Sequence, residues 1–280
     1  MKLKFYKYQG AGNDFLIADN RDCSIELSPQ QIAAVCDRRY GVGADGLMLL
    51  EDCEGYDFRM VYYNSDGSGG MMCGNGGRCI VAFAADRGVG SFRFVAADGP
   101  HYAEIVSADG NEKIVKLRMK DVDSFVHYES LVGTDVQSDG YFLDTGTRHF
   151  VRLVADLEEY DIVSEGRAIR YNAQELQPVG VNVNFIEPCD GFLKVRTYEK
   201  GVEDETYACG TGIVASCIAA YQAGIRPSEK DEDGVRYDVK ARRDSLSVSF
   251  VPGLLPDCIA GEVYLTGPAT FVAEILIDLN

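Results

Sequence analysis

The chain has 280 residues, with 27 basic and 44 acidic side chains, nine cysteines and no tryptophan. A net charge of −17 is the opposite of the basic face that phosphate contacts need, so it argues against nucleic acid and against an anionic membrane surface. With 46% hydrophobic and 25% charged residues, the composition is that of a globular protein with enough chain for one large domain or two ordinary ones. No apolar run approaches the roughly 20 residues that span a bilayer. The first residues (Met1, Lys2, Leu3, Lys4, Phe5, Tyr6) are charged and then alternating, unlike a signal peptide. These features predict a cytoplasmic protein whose cysteines are reduced thiols. The question is then which of the nine do chemistry, since most buried cysteines are simply small apolar residues.

In chain order, alternating segments at 3–8, 47–51, 57–63, 92–96, 101–106 and 114–119 have the period of two and the Val, Ile, Phe and Tyr content of strands. A second series follows at 141–144, 150–153, 181–186, 192–198, 246–250 and 262–266, with a last strand at 270–277. Residues 28–38 open with Ser-Pro, an N-cap and first-turn pair for a helix. Segments 77–87 and 212–223 are apolar nearly all round, the pattern of a helix buried on every side. Many strands and few helices place each such helix inside a curled sheet. The charged stretch 226–237 reads as a surface loop.

Those two apolar helices expose an internal repeat. Cys73-Gly74-Asn75-Gly76 leads the first and Cys209-Gly210-Thr211-Gly212 the second, 136 residues apart (209 − 73), nearly half the chain. The economical fold class is therefore α/β (α+β): two pseudo-symmetric domains, each a curled, mostly antiparallel sheet around a central helix. The expected domains are residues 1–119 with 268–280, and residues 120–267.

Each unit puts a thiol at a helix N-terminus, where unpaired N–H groups and the positive end of the macrodipole stabilise a thiolate. The glycines let a ligand approach the backbone, whose N–H groups can hold a carboxylate. Two such sites facing one carbon would remove a proton from one side and return it to the other. A single Cys-Gly-x-Gly could equally be a structural turn. Neither copy ends in the Gly-Lys-Ser/Thr of a phosphate loop. No Cys-x-x-Cys or His-Glu-x-x-His occurs, and His101, His127 and His149 are isolated, so no metal site is expected.

At these residues the chain resembles the diaminopimelate epimerases, PLP-independent racemases that use two cysteines. The likeness rests on Gly12-Asn13-Asp14-Phe15, on Asn64-Ser65-Asp66-Gly67-Ser68 leading to Cys73-Gly74-Asn75-Gly76-Gly77-Arg78, on Gly180 to Phe185, on Arg196 to Thr206, and on Ala208-Cys209-Gly210-Thr211-Gly212. It implies interconversion of LL- and meso-diaminopimelate without a cofactor, in lysine and cell-wall precursor biosynthesis. It also implies a homodimer acting on a small diamino diacid, with an active site between the domains. Cys73 and Cys209 match the catalytic thiolate and thiol. The N–H groups of Gly74, Asn75, Gly210 and Thr211 match the carboxylate cradle. Asn13, Asn64, Asn182 and Glu199 match substrate-binding residues, and His149 matches a histidine near the cysteine pair.

Four positions depart from the family pattern. Thr147 and Arg148 precede His149 where Asn-Pro is usual, Lys200 replaces an arginine, and Gly46 stands where some members have a glutamine. Lys200 keeps the charge but loses the bidentate fork. Arg148 or Lys200 is then expected to meet the distal carboxylate. The alternatives are a cofactor-independent racemase of another amino acid on the same fold, a non-catalytic amino-acid-binding protein, and a redox sensor that oxidises the two cysteines.

Overall fold

A computed structural model describes residues 2–70, 72–134, 139–255 and 258–279. The chain divides into two compact units, Met1–Arg118 with Thr266–Asn280, and Met119–Leu265.

The first unit contains β1 (Lys2–Gly10), β2 (Asn13–Asp19), α1 (Pro29–Cys36), β3 (Gly46–Glu51), β4 (Phe58–Asn64), α2 (Gly74–Asp86), β5 (Phe92–Ala96), β6 (Gly99–Asp109) and β7 (Glu112–Arg118). The end of the last strand, β17 (Cys258–Asp278), returns to it. Following the ladders, β1 pairs β2, β2 pairs β3, β3 pairs β4 and β4 pairs β5. The sequence of pairs continues through β6 and β7 to β17, which pairs β1 again. The sheet thus closes on itself, and closure removes the edges that would otherwise template aggregation. Only β2–β3 and β4–β5 are parallel, so each needs a crossover. Helix α1 makes the first; α2 makes the second.

Helix α2 is buried from Gly74 to Ala84. Its apolar circumference is stable only if enclosed, and Phe83 packs its ring 5.3 Å from Tyr6 and 5.9 Å from Tyr8. Helix α1 is amphipathic by contrast. Ser28 and Gln31 form a capping box, Pro29 occupies the first turn, and Ile32, Val35 and Cys36 pack on Leu16, Ala18, Leu47 and Leu49.

The second unit contains β8 (Phe125–Tyr128), β9 (Gly140–Asp144), β10 (Arg148–Leu153), α3 (Ile162–Asn172), β11 (Asn182–Cys189), β12 (Phe192–Glu199), β13 (Asp204–Thr206), α4 (Gly210–Gln222), β14 (Glu229–Asp231), β15 (Gly234–Lys240) and β16 (Ser245–Leu255). Its ladders repeat the first unit step by step. Pairs β9–β10, β11–β12 and β15–β16 are antiparallel, whereas β10–β11 and β12–β15 are parallel. Helix α3 makes the outer crossover and α4 the inner one. The two inner helices begin 136 residues apart (210 − 74), the offset of the sequence repeat.

The structure differs from the sequence expectations in several places, among them the strands β2, β8 and β13, where no strand is expected. Both inner helices start earlier than 77 and 212, because Cys73 and Cys209 are themselves the N-caps and the glycines form the first turn. Stretch 226–237, read as a loop, holds β14 and the first half of β15, since charged side chains alternate on an exposed hairpin. Segments 262–266 and 270–277 belong to one strand, β17, which continues through Gly267 and Pro268 on backbone ladders to β7. Helix α3 escaped notice because only Ile162, Gly166 and Ile169 are buried; Asp161 caps it by accepting from the Ser164 N–H.

No helix among the described residues is long and apolar enough to cross a membrane. Replacing Phe83 by Ala removes the largest apolar side chain of α2 and should cost about 3–5 kcal/mol. Urea unfolding followed by circular dichroism should read this as a lower midpoint at unchanged slope.

Candidate active site

In the first unit, Cys73 caps α2 in extended backbone conformation, and the Gly76 N–H donates to its Sγ at 3.2 Å. The thiol therefore sits on the first turn, among N–H groups that have no helical partner and favour an anion. Beneath it, Arg78 is fully buried and donates to the Gly74 carbonyl at 3.0 Å, to Asn75 Oδ1 at 3.0 Å and to the Pro268 carbonyl at 3.3 Å. Its charge is thereby met by carbonyl oxygens, and it fixes the Asn75 side chain. Gly10 packs against this turn: a Cβ there would lie 3.1 Å from the Asn75 carbonyl oxygen.

Asn13 opens β2 and donates to the Asp45 carboxylate, which also accepts from Arg38 at 2.6 Å. Asp14 beside it is paired with Arg38 at 2.6 Å and Lys7 at 2.8 Å. Burial opposes its ionisation, but the two cations prevail and hold its carboxyl at about 2. Asn64 ends β4 in a tight turn, donating to Ser68 Oγ at 3.0 Å while its carbonyl accepts from the Gly67 N–H.

In the second unit, Cys209 caps α4 and lies 3.5 Å from Thr211 Oγ1. Here the register of three strands assembles polar side chains on one face. His149 is opposite Asn182 across the parallel β10–β11 ladder, and Asn184 is opposite Thr197 across β11–β12. The alternate residues Phe150, Val183, Phe185 and Tyr198 point the other way and form an apolar core with Ile162 and Ile169 of α3. Arg148 falls on that second face, its guanidinium 5.0 Å from the Phe142 ring, so it does not join the group around His149.

On the inner face the contacts are continuous. Thr197 Oγ1 donates to Asn184 Oδ1 at 2.9 Å, and Asn184 Nδ2 meets His149 Nδ1 at 3.0 Å. His149 Nε2 lies 2.8 Å from Thr147 Oγ1 and 3.0 Å from Thr211 Oγ1. Thr145 Oγ1 donates to the Thr211 carbonyl at 3.0 Å, tying this cluster to the first turn of α4. Gly212 is required by close approach, since a Cβ there would sit 2.3 Å from Asn184 Oδ1. Asn184, Thr197 and Thr145 escaped sequence reading. Asn184 and Thr197 are polar residues at buried strand positions and Thr145 lies in the β9–β10 turn, and alternation cannot say which buried polar residues meet.

The other predicted residues lie nearby in sequence and in space. Asn182 accepts from the Lys200 N–H at 2.9 Å and donates to the Arg148 carbonyl at 3.3 Å. Glu199 accepts from Thr206 Oγ1 at 2.9 Å, and Lys200 Nζ donates to the Val179 carbonyl at 2.7 Å. In Glu203-Asp204-Glu205, Glu205 forms a bidentate pair with Arg196, both contacts at 2.7 Å, and Glu203 accepts from Tyr198 OH at 3.1 Å.

Burial separates the remaining thiols. It pushes Cys36 up to about 11 and drives Cys79 and Cys217 higher still, so these three stay protonated. No group of three or more His, Cys, Asp or Glu side chains suited to a metal occurs among the described residues.

His149 is fully buried, and burial alone lowers its pKa from 6.5 to about 3. An unfolded histidine charges near 6.5 while the folded one stays neutral, so folding is favoured in full above 6.5 and progressively less as pH falls toward 3. The expected slope is about 1.4 kcal/mol per pH unit in that window. Urea unfolding at stepped pH should show it, and His149→Gln should flatten it.

The diaminopimelate epimerase family matches this chain over residues 5–123 and 141–251. A diaminopimelate epimerase of Flavobacterium psychrophilum is 41% identical over 282 residues, covering 98% of this chain and all of the relative. That of Aquifex aeolicus is 40% identical over 98% of this chain and 99% of its own length. Among solved structures, a phenazine biosynthesis protein of the PhzF family from Bacillus anthracis aligns over 100% of both chains with a TM-score of 0.74 at 16% identity. A hydroxyproline epimerase from Agrobacterium vitis aligns over 99% of this chain and 91% of its own with a TM-score of 0.68 at 15% identity, so these two share the fold. With a family match over both units and full-length relatives at this identity, the chain belongs to the diaminopimelate epimerase family.

Proposed function

We propose that this protein is an isomerase that interconverts LL- and meso-diaminopimelate, without a cofactor, by a two-base mechanism. The observation that carries the reading is the duplication itself: each unit places a cysteine as the N-cap of an enclosed helix, with Gly-rich N–H groups beside it. A thiolate at Cys73 takes the α-proton of the LL isomer, breaking C–H and forming S–H, while the electron pair spreads into the α-carboxylate. The Cys209 thiol then delivers its proton to the opposite side of the same carbon. The enzyme is left with the protonation states of its two thiols exchanged, ready for the reverse direction.

The α-hydrogen of an amino acid is weakly acidic, so the developing charge must be stabilised. The first-turn N–H groups of Gly74, Asn75, Gly210 and Thr211 serve as fixed dipoles for the carboxylate. Because they are preorganised, they cost no reorientation when charge builds up. Asn13, Asn64, Asn182 and Glu199 hold the amino and carboxylate groups of the substrate. Lys200 is the candidate for the distal carboxylate: its ammonium carries three donors, of which one meets the Val179 carbonyl. The reading extends to a homodimer in the cytoplasm, supplying lysine and cell-wall precursor synthesis.

Incubation with LL-diaminopimelate in heavy water should place deuterium at one α-carbon only. Cys73→Ala and Cys209→Ala should each lose epimerisation by about a thousandfold or more, within the range that positioned acids and bases supply. Retained turnover in either variant overturns the two-thiol reaction. Lys200→Met should raise KM for diaminopimelate about tenfold with a smaller change in kcat, and an unchanged KM removes Lys200 from the distal site.

A further inference from the structure

The repeat aligns the two interiors residue by residue. The register pairs Phe15 with Gly46 and Gly46 with Asn64 in the first unit, and His149 with Asn182 in the second. Two residues further along each ladder, Met48 is opposite Tyr62 where the second unit has Asn184 opposite Thr197. Behind the α2 terminus the first unit therefore carries Phe15, Met48 and Tyr62, with the Phe15 and Tyr62 rings 6.0 Å apart. A Cβ on Gly76 would meet Met48 Sδ at 3.6 Å, whereas one on Gly212 would meet Asn184 Oδ1. The same place in the fold is filled by aromatic rings and a thioether behind Cys73 and by amide, hydroxyl and imidazole groups behind Cys209.

The polar version has a direction. Asn184 Nδ2 also donates to the Phe150 carbonyl at 3.4 Å while its Oδ1 accepts from Thr197; turning the amide over would set Oδ1 against that carbonyl, which can only accept. Its Nδ2–H must then point at His149 Nδ1, which is an acceptor and carries no proton. A neutral ring in that state holds its hydrogen on Nε2. Nε2, Thr147 Oγ1 and Thr211 Oγ1 form a triangle with sides of 2.8, 3.0 and 3.0 Å. With Nε2 a donor, the three hydrogens in the triangle cannot all be accepted inside it. One hydroxyl hydrogen must leave, and Thr211 Oγ1 has Cys209 Sγ 3.5 Å away to receive it.

We propose that Asn184, held by Thr197, is a positioning residue for Cys209: by fixing the Nε2–H form of His149 it turns the Thr147–Thr211 hydroxyl pair so that the Thr211 O–H donates to the Cys209 thiolate. Cys73 receives its donor instead from the Gly76 backbone N–H. The two thiols are thus stabilised by different devices, one built into the helix and one wired through side chains of β10, β11 and β12. The groups facing the ring are neutral on every element packed against it: Asn182 and Asn184 on β11, Thr197 on β12, Thr145 and Thr147 before β10, and Thr211 on α4. The carboxylate on that face is Glu199, which accepts from Thr206. On this arrangement His149 is not the base that deprotonates Cys209, since its accepting nitrogen is already occupied. The inference rests on Cys209 being a reacting thiol, as proposed above.

Two measurements test it without diaminopimelate, so failure of the epimerase reading and failure of this one are separable. The first is a long-range nitrogen–hydrogen spectrum of histidine-labelled protein, with only three histidines to resolve and His149→Gln to assign the signal. His149 should be neutral and protonated on Nε2 at neutral pH; a proton on Nδ1, or an imidazolium, overturns the proposal. The second is the pH profile of iodoacetamide alkylation, read peptide by peptide in the mass spectrometer. Asn184→Leu should move the Cys209 profile up by about one pH unit, a tenfold smaller thiolate fraction at fixed pH, and leave Cys73 where it is. Thr211→Val should reproduce that shift, whereas an unmoved Cys209 profile in Asn184→Leu overturns the assignment. Should Asn184→Leu not fold, Thr197→Val takes its place: an upward shift confined to Cys209 supports the relay, and no shift overturns it.

Discussion

Everything in this protein depends on enclosing a helix whose whole circumference is apolar. An α-helix normally leaves one side to water, and its terminal N–H groups are then solvated. Inside each unit the inner helix has no such side, so its unpaired N–H donors are gathered at the N-terminus. A cysteine as N-cap puts a nucleophilic atom among those donors. Burial raises the thiols of Cys79 and Cys217 on the same helices, one or two turns further in, which shows how strongly position along the helix decides the chemistry of a thiol.

The parallel pairs explain why the helix is inside. Strands β4 and β5 run in the same direction, as do β12 and β15, so the connection must cross from one end of the sheet to the other. The chain passes its crossover through the interior, while α1 and α3 cross over the outside and remain amphipathic. The duplication of this plan yields two helix termini of the same geometry. What divergence has done to them is visible in the packing: the same ladder positions hold Phe15, Met48 and Tyr62 in one unit and His149, Asn184 and Thr197 in the other.

Buried polar groups are costly unless partnered, and around His149 the second unit partners Asn184, Thr197, Thr147 and Thr211 in one connected set. Thr147 stands where the family usually has an asparagine, and its hydroxyl fits between His149 and Thr211. Lys200, another departure, is held by backbone contacts at both ends: its N–H on Asn182 and its ammonium on Val179. The first unit relies instead on Arg78, whose buried guanidinium ties the first turn of α2, at Gly74 and Asn75, to Pro268 of β17.

The sequence by itself determined the repeat, the two thiols at helix starts and most strands, because a period of two, a run of apolar residues and a Cys-Gly-x-Gly turn are all local patterns. It was less informative where charge and exposure masked the period, as in α3 and the hairpin of β14 and β15. Only the tertiary structure decided that Arg148 turns away from His149, that Arg78 is an internal tie, and that Asn184 and Thr197 sit behind Cys209. The placements of Arg148, Asn184 and Thr197 depend on the register between strands, and a shift of one residue would turn these side chains to the opposite face; Arg78 finds its partner only because β17 brings Pro268 to the first turn of α2.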